Sequence, residues 1–177
     1  MPRRLLRDGR IVEDDWAYLA ADPQEGAAGS GAGGAGGGQG IILTFEQWLA
    51  QRAQWLTHSA RLGVVLLPAQ KVELLAPDLA RFDLVGAEFS GPSEGRGYTQ
   101  GRLLRERYAF RGELRATGYV RIDQLFLLAR CGFNSFELAE SDFAHALEAF
   151  GTFTAEYQPS NDAGLPHRLQ HRDGVAT

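Results

Sequence analysis

The chain has 177 residues and a formal net charge of −4 at neutral pH, enough length for one well-cored domain and a balance that argues against non-specific nucleic-acid binding, which needs a broad basic surface. No apolar run approaches the ~20 residues of a membrane span, and the opening Met1-Pro-Arg-Arg-Leu-Leu-Arg7 lacks the long apolar stretch of a signal peptide, so a cytoplasmic protein is expected. One cysteine, Cys131, and four scattered histidines, His58, His145, His167 and His171, leave no internal disulfide, iron–sulfur set or metal-ligand spacing; neither metal nor cofactor is expected.

In chain order, residues 5–12 read as two β-prone arms around Asp8-Gly9, a strong signal for a two-residue hairpin, and residues 1–21 form an N-terminal hairpin region. Residues 22–40, almost all Gly, Ala and small polar types, cannot offset the entropy of ordering and read as a flexible insertion. Its glycine run is not followed by the Lys-Ser/Thr of a phosphate loop. Ile41-Ile-Leu43 looks extended, and Thr44 with Gln47 has the spacing of a capping box opening a helix to about Thr57, with Phe45, Trp48, Leu49 and Trp55 as packing residues.

From Arg61 the chain alternates short apolar strands with amphipathic segments. Gly63-Val-Val-Leu-Leu67 precedes a helix at 72–80; Leu84-Val-Gly-Ala-Glu-Phe89 precedes one at 99–110; Glu113-Leu-Arg-Ala116 precedes one at 122–130; Ser135-Phe-Glu-Leu138 precedes one at 142–153. Four consecutive βα units make right-handed crossovers and a parallel sheet, open or half-barrel-like, whose edges two chains could pair to cover. Gly132 suits a helix C′ position, Ser141 an N-cap, and Phe143, Leu147 and Phe150 a buried stripe. Residues 41–157 thus form a single α/β domain, and 158–177, polar and interrupted by Pro159 and Pro166, a disordered tail.

Ligands of parallel α/β folds bind at the carboxyl ends of the strands. That edge would gather Ser90, Ser93, Glu94, Arg96, Tyr98, Thr117, Tyr119, Asp123, Gln124, Glu140 and Ser141. Within it, Gly95, Arg96 and Gly97 run into an arginine-rich helix: glycines let a backbone approach an anion, and a guanidinium is a planar fork for an oxyanion. The same run also fits an ordinary turn whose arginines pair with Glu94 and Glu106. Arg115, inside an apolar strand, needs Glu88 or Glu113 as a partner, or else reaches the same anion as Arg96. Tyr98, Arg102 and Arg105 share a helix edge, either a solvated face or a ridge for an acidic partner. Cys131 beside Arg130 is either a thiol of lowered pKa or a small buried hydrophobe. If the chain is an enzyme, Glu94, Tyr98 and Asp123 are the groups at hand for catalysis.

The run Glu94-Gly-Arg-Gly-Tyr-Thr-Gln with Leu103-Leu-Arg-Glu-Arg107, then Gly112-Glu-Leu-Arg-Ala116, Asp123-Gln-Leu125, Arg130-Cys-Gly-Phe133 and Phe136-Glu-Leu138, resembles the bacterial domain-of-unknown-function family 934, over roughly residues 4–157 apart from the glycine insertion. The resemblance implies a link to sulfur assimilation, because members are encoded beside sulfite reductase and labelled as oxidoreductases of sulfite reduction. It therefore implies sulfite reductase as a partner. Two positions depart from the family pattern: Glu94 stands where Asp is usual, keeping a carboxylate, and Tyr119 replaces an Asp, leaving Asp123 as the acid of its segment. The expected function is an accessory protein of assimilatory sulfite reduction that binds a reductase or small oxyanion; the alternatives are a small enzyme of the pathway and a structural domain.

Overall fold

A computed structural model describes residues 3–20 and 39–151. The expected insertion up to residue 38, the tail and the Phe150 side chain lie outside the described residues. Strands β1 (Arg4–Arg7) and β2 (Arg10–Glu13) form the expected hairpin, turning through Asp8 at φ 51° and Gly9 at φ 73°. Both values are positive, as a type I′ turn requires. Next come β3 (Trp16–Tyr18), β4 (Gly40–Thr44), helices α1 (Phe45–Ala50) and α2 (Arg52–Thr57), β5 (Leu62–Leu66), β6 (Leu84–Phe89), α3 (Arg96–Arg102), β7 (Glu113–Gly118), α4 (Leu125–Arg130), β8 (Ser135–Phe136) and α5 (Phe143–Gly151). Gly40, expected to close the insertion, is the first residue of β4, where the Trp16 ring covers it and leaves no room for a Cβ.

The expected four-stranded parallel sheet is the centre of a larger, mixed one. Eight strands run in the order β2-β1-β8-β7-β6-β5-β4-β3, with β3 to β8 parallel and β1 antiparallel to both β8 and β2. Three-residue β3 is too short to leave a periodic signal, and the β1–β8 pairing joins residues 130 apart in sequence, as in Leu6↔Phe136. The two edge strands β2 and β3 are consecutive in the chain, linked only by Asp14-Asp15. A flat sheet of eight strands at ~4.8 Å spacing would hold its edges ~34 Å apart, whereas the link spans about 10 Å. The sheet is therefore curled like a half-barrel.

Alternation along the strands separates two faces. Leu43, Val64, Leu66, Val85, Phe89, Leu114, Ala116 and Phe136 face the convex side, where they meet Phe45, Trp48, Trp55, Leu104, Leu125, Leu128 and Phe143 from the helical layer in one buried core. Residues one position away, Ile42, Val65 and Leu84, join Trp16 in a small apolar cluster on the concave side.

The helical expectations hold with local changes, except that the segment expected as a helix at 72–80 forms two 3-10 turns, Val72–Leu74 and Ala76–Arg81, and Ser141, expected as an N-cap, lies within a 3-10 turn, Glu140–Asp142, ahead of α5. Thr44 and Gln47 make the capping box, but the single helix to Thr57 breaks at Gln51, and Leu49, expected to pack, is half exposed. The helix expected at 99–110 starts at Arg96 and widens at 103–107 into a π turn that ends before Ala109, at φ 51°. Gly132, at φ 98°, ends α4: its N–H donates to the Ala129 carbonyl and that of Phe133 to the Leu128 carbonyl, a Schellman motif. In α5, Phe143 and Ala146 are buried, whereas Leu147 faces solvent.

Candidate functional site

The run from Glu94 to Gly101 sits at the carboxyl edge of β6. The Glu94 carboxylate accepts the Arg96 backbone N–H at 2.9 Å and two guanidinium N–H groups, Nε at 2.9 Å and Nη2 at 2.8 Å. These bonds from Arg96 hold the Glu94 carboxyl at about 2, well below the usual carboxylate range. The carboxylate is thus a fixed anchor and a poor proton carrier at neutral pH. Arg96 remains 64% exposed, and its Nη1 amino group has no partner among the described residues.

Neither Gly95 nor Gly97 adopts a left-handed conformation. Gly95 has φ −102°, and Gly97 lies within α3. A Cβ on Gly97 would meet the Phe89 ring at 2.5 Å, and one on Gly101 would run into Phe133. Separated by one helical turn, these two glycines let α3 lie close on the sheet. Tyr98 stacks edge-on against Phe89 at 5.2 Å, and Gln100 donates from Nε2 to the carbonyls of Leu67 at 3.0 Å and Gln70 at 2.9 Å. In this run Arg96 and Thr99 are the exposed polar residues, and Arg96 is the one of them that carries a charge.

Tyr98 is partly buried; burial, and then the nearby Cys131 and Asp123, raise its pKa. Burial likewise raises the Cys131 thiol, so the neighbouring Arg130 does not make it a ready thiolate. Asp123 lies exposed on the turn before α4. The expected ridge divides. Arg102 is exposed and pairs with Glu106, while Arg105 turns inward and donates to the carbonyls of Gly132, Phe110 and Gly112 and to Asn134 Oδ1. Its guanidinium clamps the turn after the π segment and is committed there, so it does not belong to a docking edge.

Arg115 lies on the concave face and is fully buried, whereas Arg96 stands on the helix that covers the convex face. The structure does not bring the two together. Of the partners expected for Arg115, Glu113 is present, accepting from Nε at 2.9 Å and Nη2 at 2.7 Å; Glu88 is not among them. Two partners had no obvious sequence signal. Asp14 accepts from both terminal nitrogens at 3.0 Å, and Glu137 Oε1 accepts from Nη1 at 3.4 Å. Arg3 pairs with Asp14 and Glu137, Arg7 with Asp15 and Glu113, and Arg61 with Asp15. Tyr18, at the end of edge strand β3, donates to Glu137 at 2.9 Å.

Four arginines (3, 7, 61 and 115) thus face four carboxylates (14, 15, 113 and 137), and the cluster is neutral. Burial alone would lower the Arg115 pKa, but Glu113 and Asp14 outweigh it and raise it. An arginine so saturated has nothing left for an anion. The cluster instead ties the Asp14-Asp15 link, which joins the edge strands β2 and β3, to Glu113 and Arg115 of β7 and to Glu137 just past β8.

Residues 63–168 match the model of a family described as a bacterial protein of unknown function, DUF934. The match covers more than half of the chain. The chain belongs to the DUF934 family. A comparison with curated proteins gave no match. The DUF934 match spans β5 to α5 and so includes the Glu94–Gly101 run, Arg115 and Glu137, while Asp14 and the other N-terminal members of the charged cluster lie before it. No helix among the described residues is long and apolar enough to cross a membrane.

Proposed function

We propose that this DUF934 protein is a cytoplasmic accessory component of assimilatory sulfite or sulfate reduction, binding a reductase partner or a small oxyanion at the Glu94–Tyr98 surface. One observation carries the binding part of this reading: Glu94 orients the Arg96 guanidinium at the carboxyl edge of the sheet while its Nη1 end faces solvent. An arginine held in place by its own carboxylate loses little side-chain entropy when it docks. The pathway assignment rests on the family resemblance. An enzyme of the same pathway is the second reading, in which Glu94, Tyr98 and Asp123 would supply the chemistry; burial, and then Cys131 and Asp123, raise the pKa of the Tyr98 hydroxyl.

A deletion strain grown on sulfate and then on cysteine, combined with a salt-dependent pull-down of sulfite reductase, tests the proposal. Growth loss confined to sulfate, with co-purification that weakens as salt rises, is the expected result. Normal growth on sulfate would refute the pathway assignment. Growth loss without a partner, together with turnover by the isolated chain, would replace it with the enzyme reading.

A further inference from the structure

Strand β3 is attached to the sheet by little main-chain structure. It has three residues, pairs with β4 alone and, among the described residues, makes no main-chain hydrogen bond to β1, β2 or β8. So short an edge strand is marginal by itself, and side chains supply the rest of its hold. Asp15, just before it, accepts from Arg61 at 2.8 Å through Oδ2 and from Arg7 at 3.2 Å through Oδ1. At its other end Tyr18 donates to Glu137 at 2.9 Å. Arg3 pairs with Glu137, and its guanidinium lies 5.2 Å from the centre of the Tyr18 ring.

Two adjacent residues divide the fixed part of this region from the releasable part. The Asp14 side chain is 1% exposed and bonds Arg115, which is fully buried, while its backbone N–H donates to the Arg3 carbonyl at 2.7 Å. Asp15 and Arg61 are each 42% exposed and Arg3 48%. Salt screens exposed pairs far more than buried ones, so Asp14 stays in place as a pivot while the contacts of Asp15 and Arg3 loosen. Trp16 lies between them, buried on the concave face with Ile42, Val65 and Leu84, its ring filling the space over Gly40. Release of β3 carries that ring away and uncovers the apolar floor beneath it. We infer that residues 15–19 form a salt-released strap, pivoting on Asp14, that closes the concave face of the half-barrel with Trp16. The strap is separate from the Glu94–Tyr98 surface and does not depend on the function proposed for it.

The test is hydrogen exchange of the full-length chain, read by mass spectrometry at ~0.1 M and ~1 M sodium chloride, between which the Debye length shrinks from about 10 Å to about 3 Å. Relative to the unfolded chain in the same salt, peptides spanning residues 15–19 should exchange about tenfold faster at the higher concentration, while those of β6 and β7 change by less than about twofold. Asp15→Asn removes the charge that two arginines share. It should bring the strap's exchange at low salt close to the wild-type rate at high salt and remove most of the salt response. Tyr18→Phe keeps every charge, so it should speed exchange of the strap at both concentrations and leave the response intact. Should Asp15→Asn not fold, Arg61→Gln takes its place with the same expected result. Acrylamide, an uncharged quencher, should quench wild-type fluorescence in excess of that of Trp16→Phe, and the excess should grow with salt. Equal exchange of the strap at the two concentrations, acceleration of β6 and β7 by the same factor, or a full salt response in Asp15→Asn would overturn the inference. So would a Trp16 contribution to quenching that salt leaves unchanged, since the ring would then not leave with the strap.

Discussion

The Glu94–Gly101 run and the Arg115 cluster are both rich in charge and glycine or carboxylate, yet they do opposite things with arginine. In the first, one carboxylate holds one guanidinium, and the arginine side chain remains 64% exposed. In the second, Asp14, Glu113 and Glu137 saturate a guanidinium that is fully buried. Partner number and burial, more than residue type, separate an arginine that can bind something from one that closes a fold. A surface pair of the first kind, screened by water, contributes little to stability. Breaking a buried set of the second kind costs roughly 3–5 kcal/mol, because it leaves charges without partners.

The largest expected effect is on the closing link. Asp14→Ala removes the carboxylate that joins Arg115 and Arg3 across the two-residue connection. Equilibrium denaturation should show a loss of roughly 3–5 kcal/mol, and a loss below ~1 kcal/mol would place the closure elsewhere. Next come the glycines of α3. Gly101→Val forces a branched side chain into the Phe133 ring, and Gly97→Val forces one into Phe89, so each should cost about 1–3 kcal/mol by overpacking. The reason is close packing of helix on sheet, since neither residue has a positive φ. Far-ultraviolet circular dichroism melts that matched the wild type would show that α3 can lift without penalty.

A smaller effect is expected at Tyr18→Phe. This removes one donor to Glu137 while Arg3 and Arg115 remain, so the loss should be about 1 kcal/mol or less. The smallest is a matter of pH. The Glu94 carboxyl falls from the ordinary 4.5 to about 2 in the folded chain, so the folded state binds that proton less readily than the unfolded state. The stabilisation is present above about pH 4.5 and is lost as the pH drops towards 2. Melting temperatures of wild type and Glu94→Gln should therefore converge across that window. A difference that stayed constant with pH would mean that the Glu94 charge does not contribute.

How much of this was legible in the sequence differs between the two regions. The Asp8-Gly9 hairpin, the Thr44–Gln47 capping box, Gly132 at the end of α4 and the four central strands all depend on neighbours in the chain, and local pattern carries such signals. The role of Gly97 and Gly101 was not readable, because their need for space comes from Phe89 and Phe133, which are close only in the fold. Arg115 announced itself as a charge in an apolar strand, and Glu113 lay two residues away. Asp14 and Glu137 reach it only because the sheet curls, and the curl follows from a two-residue link between strands at opposite edges. Long-range pairing of that kind leaves no periodic trace. Arg105 misled for the same reason: its partners are carbonyls on separate turns, which draw it inward.

The most direct measurement is a pair of thermal melts under identical conditions, one of Arg115→Met and one of Arg96→Ala. With the buried carboxylates orphaned in the first and a solvated pair lost in the second, Arg115→Met should fall by on the order of 10 °C and Arg96→Ala by at most about 2 °C. Equal shifts for the two variants, or a larger one for Arg96→Ala, would contradict the division between a closing arginine and a binding one.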